Sequence, residues 1–243
     1  MITYGVVIGT YNRAPGPNYL CGLVESLRRS GLWTCGLLHA QTLVIADGGS
    51  SSLVHCLPVA EQASAGEHID LALPGVQLTP NEAYLHVVEE GLKTQAPWII
   101  TLEDDVQVSR CFLPHVHDWL QRHVADWMHV IPLYCPYREV AKVQEQAATG
   151  WGYPVQAFYG TQAVLWRRAA LASYRDWYAA GGIDGQGEGG FCDMQIKAWH
   201  QAMWPGQTYF ATPVPSLAQH CGTYSALGLH ANFHTAPCCA ELA

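Results

Sequence analysis

Apolar residues in the first half of the chain come in short β-branched runs, at residues 2–8, 42–46, 68–73 and 98–102, and these predict strands. Between the runs the spacing changes to that of helices. Residues 17–30 set Leu20, Leu23, Val24 and Leu27 on one face, and residues 79–94 do the same with Ala83, Val87, Val88 and Leu92. Thr79 followed three positions later by Glu82 is a capping box, which fixes where the second helix begins. Strands alternating with helices predict βαβ units, so the expected fold class is α/β, a central and mainly parallel sheet flanked by helices.

The second half is less regular. Residues 114–123 read as a helix, 128–133 as a strand, and 139–153 as a loop with a helical start. A strand at 162–166 leads into a helix at 168–179, and a helix at 191–203 follows the glycine-rich stretch GGIDGQGEGG at 181–190, a candidate mobile loop near a site. With 243 residues, 49% of them hydrophobic and only 13% charged, the expectation is one domain over residues 1–243 with a substantial core. No apolar run approaches the roughly 20 residues a membrane span requires, and the first residues read as a strand, so a cytoplasmic protein without signal peptide or transmembrane segment is expected.

Nine cysteines, an odd number in a long chain, read as reduced thiols rather than a disulfide framework. The one close pair, Cys238 and Cys239, is adjacent and lacks the spacing that lets two thiolates face one zinc ion. The formal net charge is -8, with no Lys or Arg between Arg29 and Lys93. That balance counts against a nucleic-acid partner, whose affinity comes from phosphate neutralisation, although a local strip such as Arg167 and Arg168 could override it. It also means that a phosphate-bearing substrate would need a bound metal ion for neutralisation.

Ligands of open α/β sheets bind beyond the carboxyl ends of the strands. Three predicted strands end alike, in GTYNR (Gly9 to Arg13), ADGGS (Ala46 to Ser50) and EDD (Glu103 to Asp105). Turns favour these residue types anyway, but three such ends on one sheet edge gather hydroxyls, amides and carboxylates. Carboxylates crowded at the end of an apolar strand repel one another and lose hydration, a cost that a cation offsets. Oxygen ligands of this kind suit a hard ion, Mg²⁺ or Mn²⁺.

On these residues the chain resembles the GT-A-fold glycosyltransferases, most closely their family 2 and the N-acetylglucosaminyltransferases, over roughly residues 1–225. The opening strand with GTYNR, the segment VIADGGS, and above all PNEAYLHVVEEGLKTQAPWIITLEDDV carry the similarity. The resemblance implies a nucleotide-sugar-binding half, 1–106, and an acceptor-binding half, 107–243. It implies that Thr10 and Asp47 meet the base, with Tyr11 and Asn81 also lining the nucleotide-sugar site. Glu103 or Asp104 would meet the ribose and sugar, Arg13 the diphosphate, and Asp105 the metal, with His220 in PSLAQHCGTYSALG completing the metal shell. The donor implied is a nucleotide sugar, foremost a UDP-sugar, and the acceptor a hydroxyl on a glycan, lipid, protein or modified nucleobase.

An inverting transfer needs a base on the acceptor side, and EDD is committed to the metal. GEGGFCDMQIKAWH offers Asp184, just before it, then Glu188 and Asp193; the family's adjacent acidic residues are here separated. Asp193 is favoured because it opens a helix, where the positive end of the dipole suits a carboxylate, with Glu188 as the alternative. Two other classes fit less well. A nucleotidyltransferase acting on a sugar phosphate would want a basic cradle, and GTYNR supplies one Arg; a non-catalytic sugar-nucleotide binder would lack EDD or the later acidic loop. His115 and His117, two apart on a helix, point to different faces and read as structural. Trp151, Tyr153 and Trp204, near glycine loops, are candidates for an acceptor groove.

Overall fold

The computed structural model describes residues 2–11, 19–49, 63, 66–136, 152–158, 160–183, 192–222 and 241–242. In chain order the elements are β1 (Tyr4–Thr10), α1 (Tyr19–Arg29), β2 (Leu38–Asp47), β3 (His68–Ala72), α2 (Pro80–Lys93), β4 (Trp98–Glu103), β5 (Val106–Val108) and α3 (Phe112–His123). They continue with β6 (Val130–Pro132), β7 (Gly152–Pro154), a single 3₁₀ turn (Val155–Ala157), β8 (Ala163–Arg167), α4 (Arg168–Ala179), α5 (Cys192–Met203), β9 (Tyr209–Ala211) and β10 (Ala218–His220).

Six strands form the central sheet in the order β3-β2-β1-β4-β8-β6. The first four run parallel, as expected from the alternation of strand and helix. β8 is antiparallel to both β4 and β6, so the sheet is mixed at this end. Two antiparallel ribbons, β5–β10 and β7–β9, complete the strands; at three residues each they are too short for an alternating pattern to announce them.

The sheet is buried on both faces, which is why its strands read as continuous apolar runs. Tyr4, Val6 and Ile8 of β1 pack with Leu20, Leu23 and Leu27 of α1 and with Phe112, Val116 and Leu120 of α3. Val7, one residue out of phase, lies in the opposite cluster with Val87, Val88 and Leu92 of α2, Leu171 and Tyr174 of α4, and Ile196 and Trp199 of α5. Each such aliphatic side chain contributes about 1.5–3 kcal/mol relative to exposure. α2 starts where the capping box predicts: the Thr79 hydroxyl accepts from the Glu82 N–H, and the Glu82 carboxylate accepts from the Thr79 N–H. The Thr79 N–H and the Thr79 hydroxyl, both donating to the Glu82 carboxylate, hold that carboxyl below its usual range.

His117 donates or accepts across 3.1 Å with the buried Tyr4 hydroxyl, while His115 is exposed, so both are remote from any constellation. Tyr153 departs from the acceptor-groove expectation: it is fully buried against Phe158. Trp204 is half-buried at the edge of the core, stacked on His129 and edge-on to Trp199. Trp151 lies outside the described residues. Among the described residues no helix is long and apolar enough to cross a membrane, and the described cysteines (21, 35, 111, 135, 192 and 221) form no disulfide with one another; Cys56, Cys238 and Cys239 lie outside the described residues.

Candidate active site

The register of the sheet brings the predicted strand ends to one edge. Thr10 lies opposite Asp47 and Gly9 opposite Glu103, so β1, β2 and β4 finish level. Because β8 is antiparallel, its beginning reaches the same edge: Ala163 pairs with Leu102, and the Glu103 N–H donates to the Gln162 carbonyl at 2.9 Å.

Three successive carboxylates end β4, each met by a polar partner from a different part of the chain. Glu103 accepts from the Thr161 hydroxyl just before β8. Asp104, 3% exposed, turns beneath the first loop, its Oδ2 accepting from the Thr10 hydroxyl at 2.6 Å and the Tyr11 N–H at 3.4 Å, and its own N–H donates to the Gly9 carbonyl. Asp105, also buried, has Oδ2 3.3 Å from Nε2 of His220 on β10. These partners compensate for the hydration that the carboxylates lose. The chain wraps closely round Asp105: the Cys221 N–H donates to the Asp105 carbonyl at 2.8 Å, and a Cβ on Gly222 would fall 2.5 Å from Asp105 Oδ2.

The 3.3 Å between Asp105 Oδ2 and His220 Nε2 is a hydrogen-bond distance, and it is also compatible with two neighbouring ligands of one divalent ion. Adjacent ligands of an octahedral ion bound at about 2.2 Å are separated by about 3 Å, close to the spacing of these two atoms. Among the described residues no group of three or more His, Cys, Asp or Glu side chains converges.

At the far side of β1, Asp47 is 3% exposed at the end of β2. The Gly48 N–H donates to the Thr10 carbonyl, and the Leu78 N–H donates to the Gly48 carbonyl at 3.0 Å. The Tyr11 ring lies on Gly48, where a Cβ would approach its Cδ2 to 2.3 Å; its hydroxyl donates to the Leu78 carbonyl and accepts from the Gln77 amide. Gly49 has φ +86°, and a Cβ there would collide with the Val76 carbonyl at 1.8 Å, so only glycine suits this turn. Thr10, Tyr11 and Asp47 are thus laced together with the segment entering α2.

Asp193 opens α5 and is 8% exposed; Oδ1 accepts from the Met194 N–H and Oδ2 from the Gly160 N–H at 3.3 Å. Its neighbour Cys192 directs its thiol to Asn81 Oδ1 at 3.4 Å, tying α5 to the first turn of α2. Burial, reinforced by Glu103 and Asp193, pushes that thiol up to about 12. Cys192 thus touches Asn81, with the charges of Glu103 and Asp193 near enough to act on its thiol. Arg13, Asp184 and Glu188 lie outside the described residues. Gly160 and Thr161 open the segment GTQAVLWRR, which resembles the acceptor-side strand of the GT-A fold, but the sequence assigns no role of their own to them or to Cys192 and Gly222; their contacts arise only through space.

The sequence matches no known family profile and no curated protein. The fold, by contrast, is found in solved glycosyltransferases of the GT-A type. A mannosyltransferase from Pyrobaculum calidifontis, solved with GDP-mannose and Mn²⁺, superposes with a TM-score of 0.57 at 15% identity, over 90% of this chain and 56% of that one. TarS of S. aureus, solved with UDP, gives 0.52 at 12% identity over 88% and 61%. Mouse xyloside xylosyltransferase 1 gives 0.50 at 9% identity over 88% and 86%. The chain thus spans somewhat over half of the first two and most of the third. At these identities the likeness establishes the fold, which is the one expected from the sequence.

Proposed function

We propose that this chain is a glycosyltransferase that moves a sugar from a nucleoside-diphosphate donor, foremost a UDP-sugar, to a hydroxyl acceptor with inversion. The observation that carries this reading is the arrangement of Glu103, Asp104 and Asp105 at the carboxyl edge of the sheet, each with its own polar partner, between Asp47 on one side and Asp193 on the other. In this reading Asp47 accepts a hydrogen bond from the base while Tyr11 forms a wall of its pocket, and Asp104 braces the Thr10 loop rather than touching substrate. Glu103 meets the sugar beside Asn81, and Arg13 faces the diphosphate. Asp105 and His220 would hold Mn²⁺ or Mg²⁺, which supplies stabilisation of the departing diphosphate.

Asp193 then accepts the proton of the attacking hydroxyl, with Glu188 as the other candidate. The Gly160 and Met194 N–H groups fix the orientation of its carboxylate, which is what general-base catalysis requires. A thermal-shift panel of nucleotide sugars with and without Mn²⁺ tests the donor class, since a cognate donor stabilises the state that binds it. The anomeric configuration of the product by NMR and the rate of Asp193→Asn test the mechanism: inversion with a loss of roughly a hundredfold or more is expected. Retention, or a variant near wild-type rate, refutes the assignment.

A further inference from the structure

Glu103 ends β4 and Asp193 begins α5, and one short stretch of chain reaches both. The Thr161 hydroxyl donates to Glu103 Oε1, the Gly160 N–H donates to Asp193 Oδ2, and the Gln162 carbonyl accepts from the Glu103 N–H. The stretch has little freedom to adjust. Thr161 is 5% exposed, β8 pairs with β4 from the next residue but one, and Gly160 sits at φ +79° with the Gln162 amide where a Cβ would go, 1.8 Å from Oε1. A glutamate side chain at a strand end has several staggered rotamers open to it, and a buried hydroxyl donating to one oxygen selects among them.

We propose that Thr161 is a positioning residue for transfer: its hydroxyl holds Glu103 against the sugar of the donor, while the adjoining Gly160 N–H holds Asp193 in register with it. This rests on the glycosyl-transfer reading above. It makes β8, the antiparallel strand, the element that sets the spacing between the carboxylate on the sugar and the carboxylate on the acceptor. Productive geometry tolerates errors well under 1 Å, so a shared anchor for the two groups has a direct effect on rate.

The test uses Thr161→Val, which keeps the shape and removes the donor, and Thr161→Ser, which restores it. The probes are whichever of UDP-glucose, UDP-N-acetylglucosamine and GDP-mannose the wild type turns over fastest, and its nucleoside diphosphate. Thr161→Val is expected to bind the nucleoside diphosphate within about twofold of wild type, to lose about tenfold or more of its preference for the intact donor, and to lose about 10- to 100-fold in kcat. Thr161→Ser recovers both to within about threefold, and Thr161→Val adds nothing in a Glu103→Ala background, since with that carboxylate gone the hydroxyl has no acceptor left to hold. Should the valine variant fail to fold, the serine and alanine variants supply the same ratios. Wild-type donor preference and kcat in Thr161→Val, or an equal loss in the Glu103→Ala background, overturns this role alone. A wild type that turns over none of the donors overturns the functional reading and this role with it.

Discussion

Gly222→Ala is a small change with a computable reach. The backbone at Gly222 is not left-handed, so alanine is sterically acceptable to its own peptide, and the consequence lies in what the new methyl meets. It would stand 2.5 Å from Asp105 Oδ2 and 2.9 Å from both Cβ and Cγ, where ordinary contact begins at 3.4 Å. The gap to the carboxylate oxygen must open by about 0.9 Å, and because Cβ is also too close, rotation of the side chain alone does not relieve it. Neither backbone is at liberty to yield: the Cys221 N–H is bonded to the Asp105 carbonyl, and His220 pairs with Val106. The overpacking should cost about 1–3 kcal/mol of stability. The Asp105–His220 spacing must change with it, and a metal held by that pair should bind about 10- to 100-fold more weakly, the usual effect of disturbing the support of a ligand. Mn²⁺ titration followed by electron paramagnetic resonance, in the presence of UDP, measures this, with circular dichroism confirming the fold. A variant that is folded, binds Mn²⁺ as tightly as wild type and turns over normally would refute both the contact and the assignment of Asp105.

Three further outcomes are expected. Asp105→Ala, like EDTA treatment of the wild type, should abolish turnover while leaving the chain folded, because it removes one of three neighbouring carboxylates; activity in either case is the contrary result. Asp47→Ala should weaken UDP binding by about 1–3 kcal/mol in calorimetry, the cost of a buried hydrogen bond left unmade, and unchanged affinity would place the base elsewhere. His200 is fully buried among Trp199, Trp204 and Phe210 with neither ring nitrogen hydrogen-bonded, and burial, with His129 adding to it, pushes it down to about 4. Its unfolded value is near 6.5, so the stability owed to the neutral ring is complete above that pH and is lost as pH falls towards 4, up to about 3 kcal/mol in all. Urea unfolding at pH 7.5 and 4.5 should show this difference in the wild type and a smaller one in His200→Leu; equal differences would exclude His200 as the cause.

What the sequence disclosed and what it withheld follow from the range of the interactions. Local patterns were sufficient for α4, whose predicted limits agree with Arg168–Ala179, and for the start of α2, where the capping box is a bond between neighbours. They were sufficient for EDD too, since an apolar strand ending in carboxylates is anomalous by itself. The direction of β8 has no local signature: its residues, AVLWR, would serve either orientation, and the antiparallel pairing with β4 is a property of the folded sheet. That direction is what delivers Gly160 and Thr161 to the sheet edge. The hydrogen bond from Thr161 to Glu103 joins residues 58 apart and that from Gly160 to Asp193 residues 33 apart, so no spacing rule along the chain could have linked them. The carboxylates were legible because each is costly to bury; the groups that make their burial tolerable, a threonine hydroxyl, a backbone N–H and a glycine without a Cβ, are ordinary residues whose meaning is set wholly by the fold.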